Sequence, residues 1–372
     1  MSTTTTKTIP WWKPETGPEE RDRVLAVLAS NYLNDGDVTT EFERRMAATL
    51  GSRFGIAVTS GTTALFVSLA GIGVGHGDEV VVPDVTFIAT ANAVTLAGAT
   101  PVFVDVDPAT LTLSPAAFEA AITPRTRAVI PVHVSGRAAA IERIIEIGDA
   151  RGIAVIEDAA EALRSKHNGR CLGTFGRTGC FSFSPNKTIT TGQGGLIVTD
   201  DQSLVVRLRE VKDQGRPVRG TGGNDIHASI GFNFKLTNLQ SAVGLAQLDR
   251  LETRVKQLGQ LYRAYRDALG GIEHLTLLPF DVDRDETPQW VDALAMDRDR
   301  LVEYLESVGI QCRPFWYPIH TQRPYALPSD RFPVASELGA KALWLPSALS
   351  MTAADVQVVA ERIHGFYQGR RG

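Results

Sequence analysis

From residue 56 to residue 199 the chain alternates short, nearly continuous apolar runs with amphipathic stretches, a pattern that predicts strands separated by helices. A short strand at 56–58 leads through a small-residue turn into an apolar helix. Further strands are expected at 79–82, 101–106, 128–132, 153–157, 181–184 and 196–199, with helices at 87–96, 115–122 and 138–151. Val/Ile runs of this kind, with helices between them, mark an α/β sheet that is mostly parallel and covered on both faces. In such sheets ligands sit beyond the carboxyl ends of the strands, so the residues directly after each apolar run carry positional meaning.

Upstream, residues 1–18 are polar and Pro-rich around Trp11 and Trp12 and read as an extended arm. Helical patterning begins near Glu19, and a second helix is expected over 39–50 with Thr39 or Thr40 as its cap. Downstream come a helix at 204–212, a Gly- and Arg-rich loop at 216–225, and one long helix at 239–269 closed by Gly270-Gly271. Helices at 298–308 and 353–367 complete a small α+β region. The expected organisation is an arm (1–18), a large α/β domain (19–245) and a smaller C-terminal domain (246–372).

Composition excludes more than it assigns. With 42 acidic and 38 basic residues the net charge is −4, so no global basic field calls for nucleic acid or an anionic membrane. No apolar run approaches a membrane span, and the first residues lack the apolar core of a signal peptide. Three cysteines without metal spacing point to a reducing, cytoplasmic setting, and the scattered histidines make a metal site unexpected.

Chemistry concentrates in 179–195, GCFSFSPNKTITTGQGG. Cys180 to Ser184 alternates with period two, Pro185 ends the strand, and Lys187 follows among small polar residues. A lysine desolvated there would have its pKa lowered towards a reactive amine, although a lone lysine in a polar turn is more often a solvated surface residue. Ser60-Gly61-Thr62-Thr63 opens a helix whose first N–H groups form an anion site, or else a simple capped start. Asp158 and Glu161 follow the 153–157 strand three positions apart, either facing a ligand or answering a helix dipole. Phe87 follows the 79–82 strand, where it could lie against a flat ligand or join the core.

Taken together and in this order, these stretches resemble the DegT-type sugar aminotransferases, a branch of the fold-type-I pyridoxal-phosphate enzymes, from about residue 10 to the end. Gly231-Phe232-Asn233 and Arg313-Pro314-Phe315-Trp316-Tyr317-Pro318-Ile319-His320 match as well. The resemblance implies pyridoxal 5'-phosphate as cofactor, held covalently by Lys187, which would also carry the catalytic proton. It implies Asp158 on the pyridine nitrogen, Glu161 beside the ring hydroxyl and Phe87 on the ring face. Thr62, Thr63 and Ser182 would take the phosphate, joined by Asn233 of a second subunit, which implies a homodimer with shared active sites. Residues 186–192 and 313–320 look most like nucleotide-sugar 4-aminotransferases, the group that includes perosamine synthases. A keto nucleotide sugar and an amino-acid donor, glutamate or glutamine, are then the substrates, with Lys235, Arg313, His320 and the 216–225 loop as candidate contacts.

The chain departs from the family pattern at Lys235, where relatives often carry Arg, and at His133-Val134-Ser135-Gly136, which replaces the commoner His-Leu-Tyr-Gly. Alternatives are a 3-keto sugar or keto-cyclitol acceptor, or a cofactor-binding regulator without turnover. A dehydratase of the same fold looks to have His at the cofactor position, and Lys187 argues against it.

Overall fold

Two helices, α1 (Pro18–Ser30) and α2 (Asp37–Leu50), precede the first strand in the computed structural model, which describes residues 8–216 and 226–369. Gly36, not Thr39 or Thr40, is the N-cap of α2. Thr39 lies inside the first turn, where its N–H and hydroxyl both donate to Asn238 Oδ1, at 3.0 and 3.1 Å.

The central sheet contains β1 (Phe54–Val58), β2 (Glu79–Pro83), β3 (Thr100–Val104), β4 (Thr126–Val129) and β5 (Ala154–Asp158). A small ribbon, β6 (Lys166–His167) and β7 (Arg170–Cys171), precedes β8 (Thr178–Ser182) and β9 (Gly195–Thr199). Seven strands pair in the order β1-β9-β8-β5-β4-β2-β3, and only β9 runs against its neighbours. The connecting helices are α3 (Gly61–Gly71), α4 (Ala89–Leu96), α5 (Pro115–Ala120), α6 (Ile141–Arg151) and α7 (Gln202–Lys212).

Strand period explains how the sheet is covered. Val80 and Val82 point to a core shared with Leu65, Phe66 and Leu69 of α3, while Val81 joins Ile141, Ile144 and Ile147 of α6 on the other face. Every one of these side chains is buried. Because β2, β5 and β8 are parallel, the residues that end them, Pro83, Asp158 and Ser182, emerge at one edge.

The expected long helix is two: α8 (Asn238–Asp249) and α9 (Leu251–Leu269), broken at Arg250. Leu245, Leu248 and Leu251 pack with Phe42 and Met46 of α2. Leu261, Tyr262, Tyr265 and Leu269 pack instead on a second sheet, so the break is where one core hands over to another. That sheet comprises β10 (Leu275–Leu277), β11 (Val291–Ala295), β12 (Arg313–Pro314) and β13 (Ala342–Leu345), antiparallel in the order β10-β11-β13-β12. It carries α10 (Arg298–Ser307), α11 (Pro333–Gly339) and α12 (Ala353–Gln368). Position 245, the expected domain edge, lies within α8, and Trp290, Phe315, Phe332 and Trp344 join the core of the large sheet.

The arm is anchored at several points. Ile9 bridges Ile310, Trp11 packs on Trp290 and Trp344, and Trp12 Nε1 donates to Pro185 O at 3.0 Å, just before Lys187. Residues 217–225 of the Gly/Arg-rich stretch lie outside the described residues. Among the described residues, no helix is long and apolar enough to cross a membrane.

Candidate active site

The strand-end edge encloses a cavity of about 350 Å³. At one end is the start of α3. Ser60 caps it, accepting Thr63 N–H at 3.1 Å, while Thr63 Oγ1 accepts Ser60 N–H at 2.8 Å. The capping box therefore consumes the Thr63 hydroxyl and N–H, and Thr63 does not line the cavity, contrary to its expected place on the phosphate. Thr62 does line it, and the helix leaves the N–H groups of Gly61 and Thr62 without internal partners. Ser182 and Ser184, 3.1 Å apart at their hydroxyls, face the same end.

Glycine is required where α3 meets the sheet. A Cβ on Gly61 would stand 2.9 Å from Ser182 Cβ, and one on Gly195 would stand 2.2 Å from Ser60 O. The close approach brings the helix N-terminus, with its positive dipole end, against the serine hydroxyls.

On the cavity floor Asp158 Oδ2 accepts the Thr90 hydroxyl at 2.8 Å and Oδ1 accepts Ala160 N–H at 3.1 Å. Burial pushes its carboxyl above the ordinary range, offset in part by the Thr90 and Ala160 bonds and by the Lys187 charge. Beneath it, His133 Nδ1 accepts Ala139 N–H at 3.1 Å, so the ring proton is on Nε2 and is donated to Glu157 Oε2 at 2.9 Å. Glu157 also accepts the N–H groups of Gly173 and Gly176. This fully buried pair fixes the end of β5, and with it Asp158.

Lys187 Nζ reaches into the cavity, 3.1 Å from Glu161 Oε1 and 5.0 Å from the centre of the Trp290 ring. Glu161 Oε2 accepts Ser135 N–H at 3.0 Å, and burial raises its carboxyl too, against the pull of Lys187. Phe87, 53% exposed, stands at the mouth opposite Trp316, with ring centres 6.5 Å apart. Arg313 lines the far wall with its guanidinium over Trp11 and Trp344.

Thr62, Phe87, Asp158, Glu161, Ser182, Lys187 and Arg313 thus converge, and other expected residues do not. His320 is buried and bound to Asp84, with Nδ1 at 2.6 Å from Oδ2, so it is not presented to a substrate. Lys235 is held by Asp213 Oδ1 at 2.6 Å and does not line the cavity. Asn233 is exposed and does not line this chain's own cavity. Thr90, Ser184, Trp290 and Trp344 belong to the site without having been singled out. Ser184 lay in the polar alternation before Lys187, whereas Trp290 and Trp344 carry no local signal.

A family model described as the DegT/DnrJ/EryC1/StrS aminotransferase family matches residues 14–364. The chain belongs to this family. It is an aminotransferase, and its cofactor is pyridoxal phosphate. The chain is 38% identical over 354 residues to the GDP-perosamine synthase of Caulobacter vibrioides, covering 93% of this chain and 95% of that one. It is 35% identical over 369 residues to the GDP-perosamine synthase of Escherichia coli O157:H7, covering 98% and 100%. The solved structure of DesI in the presence of its TDP-sugar product superimposes with a TM-score of 0.88 at 29% identity, covering 98% of this chain and 93% of DesI.

The residues present fit the cofactor. A helix N-terminus with serine hydroxyls suits a phosphate, and a buried carboxylate facing the cavity suits a protonated ring nitrogen. A single primary amine, Lys187 Nζ, is available among the lining residues.

Proposed function

We propose that this aminotransferase moves the amino group of L-glutamate, or glutamine, onto the C4 keto carbon of a nucleotide-linked deoxysugar. The GDP-perosamine synthase relatives support the acceptor class. The observation that carries the chemistry is Lys187 Nζ at 3.1 Å from Glu161, in the cavity whose floor is Asp158.

When bound, pyridoxal phosphate supplies the carbonyl that receives the amino group and the ring that withdraws electrons. Lys187 would hold it covalently and, when free, would carry a proton at Nζ between the substrate carbon and the cofactor carbon. Asp158, held by Thr90 and Ala160, would keep a proton on the ring nitrogen. Glu161, oriented by the Ser135 N–H, balances the Lys187 charge and would be the residue to meet the ring hydroxyl. Phe87 narrows the mouth and would cover one ring face, while Gly61, Thr62 and Ser182 would hold the phosphate.

The enzyme works as a homodimer in which the partner's Asn233 completes the phosphate site. Exposed Ile230 and Phe232 beside Asn233, at 84% and 40%, support an interface there. A cytoplasmic location accords with three unpaired, buried thiols.

The test is a half-reaction. The aminated-cofactor form of the enzyme is offered 4-keto and 3-keto nucleotide sugars and keto-cyclitols, and return of the visible cofactor band is followed. Response to 4-keto nucleotide sugars is expected. Response to 3-keto sugars or cyclitols alone reassigns the acceptor, and response to none overturns the reading.

A further inference from the structure

Lys187 is carried by a turn, and that turn is gripped from outside by side chains that the chemistry does not use. The Lys187 N–H donates within the turn, to Ser184 O at 3.0 Å. The carbonyls on either side of it are taken by residues far away in the chain. Trp12 Nε1 donates to Pro185 O at 3.0 Å, and Arg254 Nη1 donates to Thr188 O at 3.0 Å. Trp12 comes from the N-terminal arm and Arg254 from the first turn of α9.

The two grips are fastened to each other. Arg254 Nη2 donates to Glu15 O at 3.2 Å and Gln247 Nε2 donates to the same oxygen at 2.8 Å, just beyond Trp12 in the arm. Gln247 Oε1 accepts from Arg254 Nη1 and also from Thr190 N–H, the latter at 3.4 Å. Gln247 belongs to α8, so this contact spans the break at Arg250. On its other side the arm is tied down by Ser347 N–H, which donates to Trp11 O at 2.8 Å.

Arg254 is 4% exposed, and the oxygens it reaches here, on Thr188, Glu15 and Gln247, are all neutral. A buried cation answered by neutral oxygens is a costly way to stabilise a fold. It is well suited to fixing a position, because the guanidinium presents its donors in a rigid plane. One of its acceptors is the carbonyl next to Lys187, and another belongs to the arm that takes Pro185 O.

We propose that Arg254 is a positioning residue for Lys187, acting with Gln247 and the arm from Trp12 to Glu15 as a strap across the turn. Arg254 holds the turn from the α9 side and Trp12 from the arm side, so that Nζ is presented to the cavity in one place. The inference rests on Lys187 as the residue that holds the cofactor, as proposed above.

The test uses two forms of the cofactor that differ in whether they can bond to Lys187. Pyridoxal phosphate carries an aldehyde that condenses with Nζ and releases water, whereas pyridoxamine phosphate carries an amine and binds without that bond. Cofactor-free, full-length protein is titrated with each. Arg254→Met should weaken pyridoxal phosphate binding about tenfold, the weight of one hydrogen bond to a charged group, and leave pyridoxamine phosphate within about twofold. Arg254→Lys, which keeps a cation and a donor, should recover part of the loss. Trp12→Phe keeps an aromatic ring and removes one neutral donor, so it should weaken pyridoxal phosphate alone, by about threefold. That variant decides the matter if Arg254→Met does not fold. Equal loss of both forms, or no change in either, contradicts the strap. Lys187→Ala is the control, and it should weaken pyridoxal phosphate more than pyridoxamine phosphate. If it does not, the reading of Lys187 fails first; if it does while the strap variants show no selective loss, this inference alone fails.

Discussion

Asp84 and His320 clasp two distant segments of the chain in a buried contact: Asp84 Oδ1 accepts the His320 backbone N–H at 2.8 Å, and Oδ2 lies 2.6 Å from its Nδ1. Asp84 follows β2 just ahead of Phe87, and His320 follows the aromatic run that carries Arg313 and Trp316. The clasp therefore sets the two sides of the cavity mouth relative to each other. Burial raises the Asp84 carboxyl, partly countered by the bonds from His320. His320→Ala would leave Asp84 Oδ2 buried without its side-chain partner while Oδ1 keeps the backbone N–H, at a cost of about 1–3 kcal/mol in unfolding free energy. His320→Asn, which keeps a side-chain N–H donor, should recover part of the loss. Denaturant titration of the holoenzymes checks this; a cost under about 1 kcal/mol would place His320 outside the fold's support.

Gly61 sits at the first position of α3, where alanine would ordinarily be neutral or favourable. Here an added Cβ meets Ser182 Cβ at 2.9 Å. Gly61→Ala should push the helix start off β8 and lower cofactor affinity about tenfold or more, in keeping with an overpacking cost of about 1–3 kcal/mol. Titration of the cofactor-free protein with pyridoxal phosphate measures it, and unchanged affinity would mean that the helix start does not hold the phosphate.

The buried carboxyl of Asp158 gives a signed pH effect in the cofactor-free protein. Its folded pKa is raised, so the native state keeps a proton that the unfolded chain releases above about pH 4. The Asp158 contribution to stability therefore falls as pH rises from there through the raised folded value. Asp158→Asn cannot titrate, so the stability of the variant minus that of the wild type should increase with pH across that window. Urea unfolding at a series of pH values checks the slope; a flat or falling difference contradicts it.

How far these features were legible before the coordinates depends on how local their causes are. The strand at 79–82 reads directly from its apolar run, and the strand-end rule points to Asp158, while Lys187 joins it in the reading only through the set of motifs taken together. The break at Arg250 does not show, because Leu245, Leu248, Leu251, Val255 and Leu258 keep helical spacing straight through it. What changes there is which core each side packs on, a tertiary fact. His320 and Lys235 look like free polar groups in the sequence because their partners, Asp84 and Asp213, are 236 and 22 positions away. Thr63 is the opposite case: its partner is Ser60, and the reciprocal Ser60–Thr63 bonding of a capping box leaves its hydroxyl no phosphate to bind.

Removing the Lys187 amine should disable the proton transfer while leaving the cavity's other walls in place. Lys187→Ala is expected to lose transamination by at least about 10²–10⁴-fold, the usual weight of a positioned general acid–base group. Glu161 should then be a buried carboxylate without its cation, since the Lys187 charge is what most lowers its raised pKa. The variant should still bind cofactor noncovalently, seen as cofactor retained on a desalting column. Turnover at wild-type rate would remove Lys187 from the chemistry.

The most direct measurement is to fix the cofactor to the protein and find where it is attached. The holoenzyme is treated with borohydride, digested, and its peptides are mapped by mass spectrometry. Loss of the visible band with one reduced cofactor adduct on Lys187 is the predicted result. An adduct on another lysine, such as Lys212 or Lys235, or no adduct at all on a protein saturated with pyridoxal phosphate, would contradict the account.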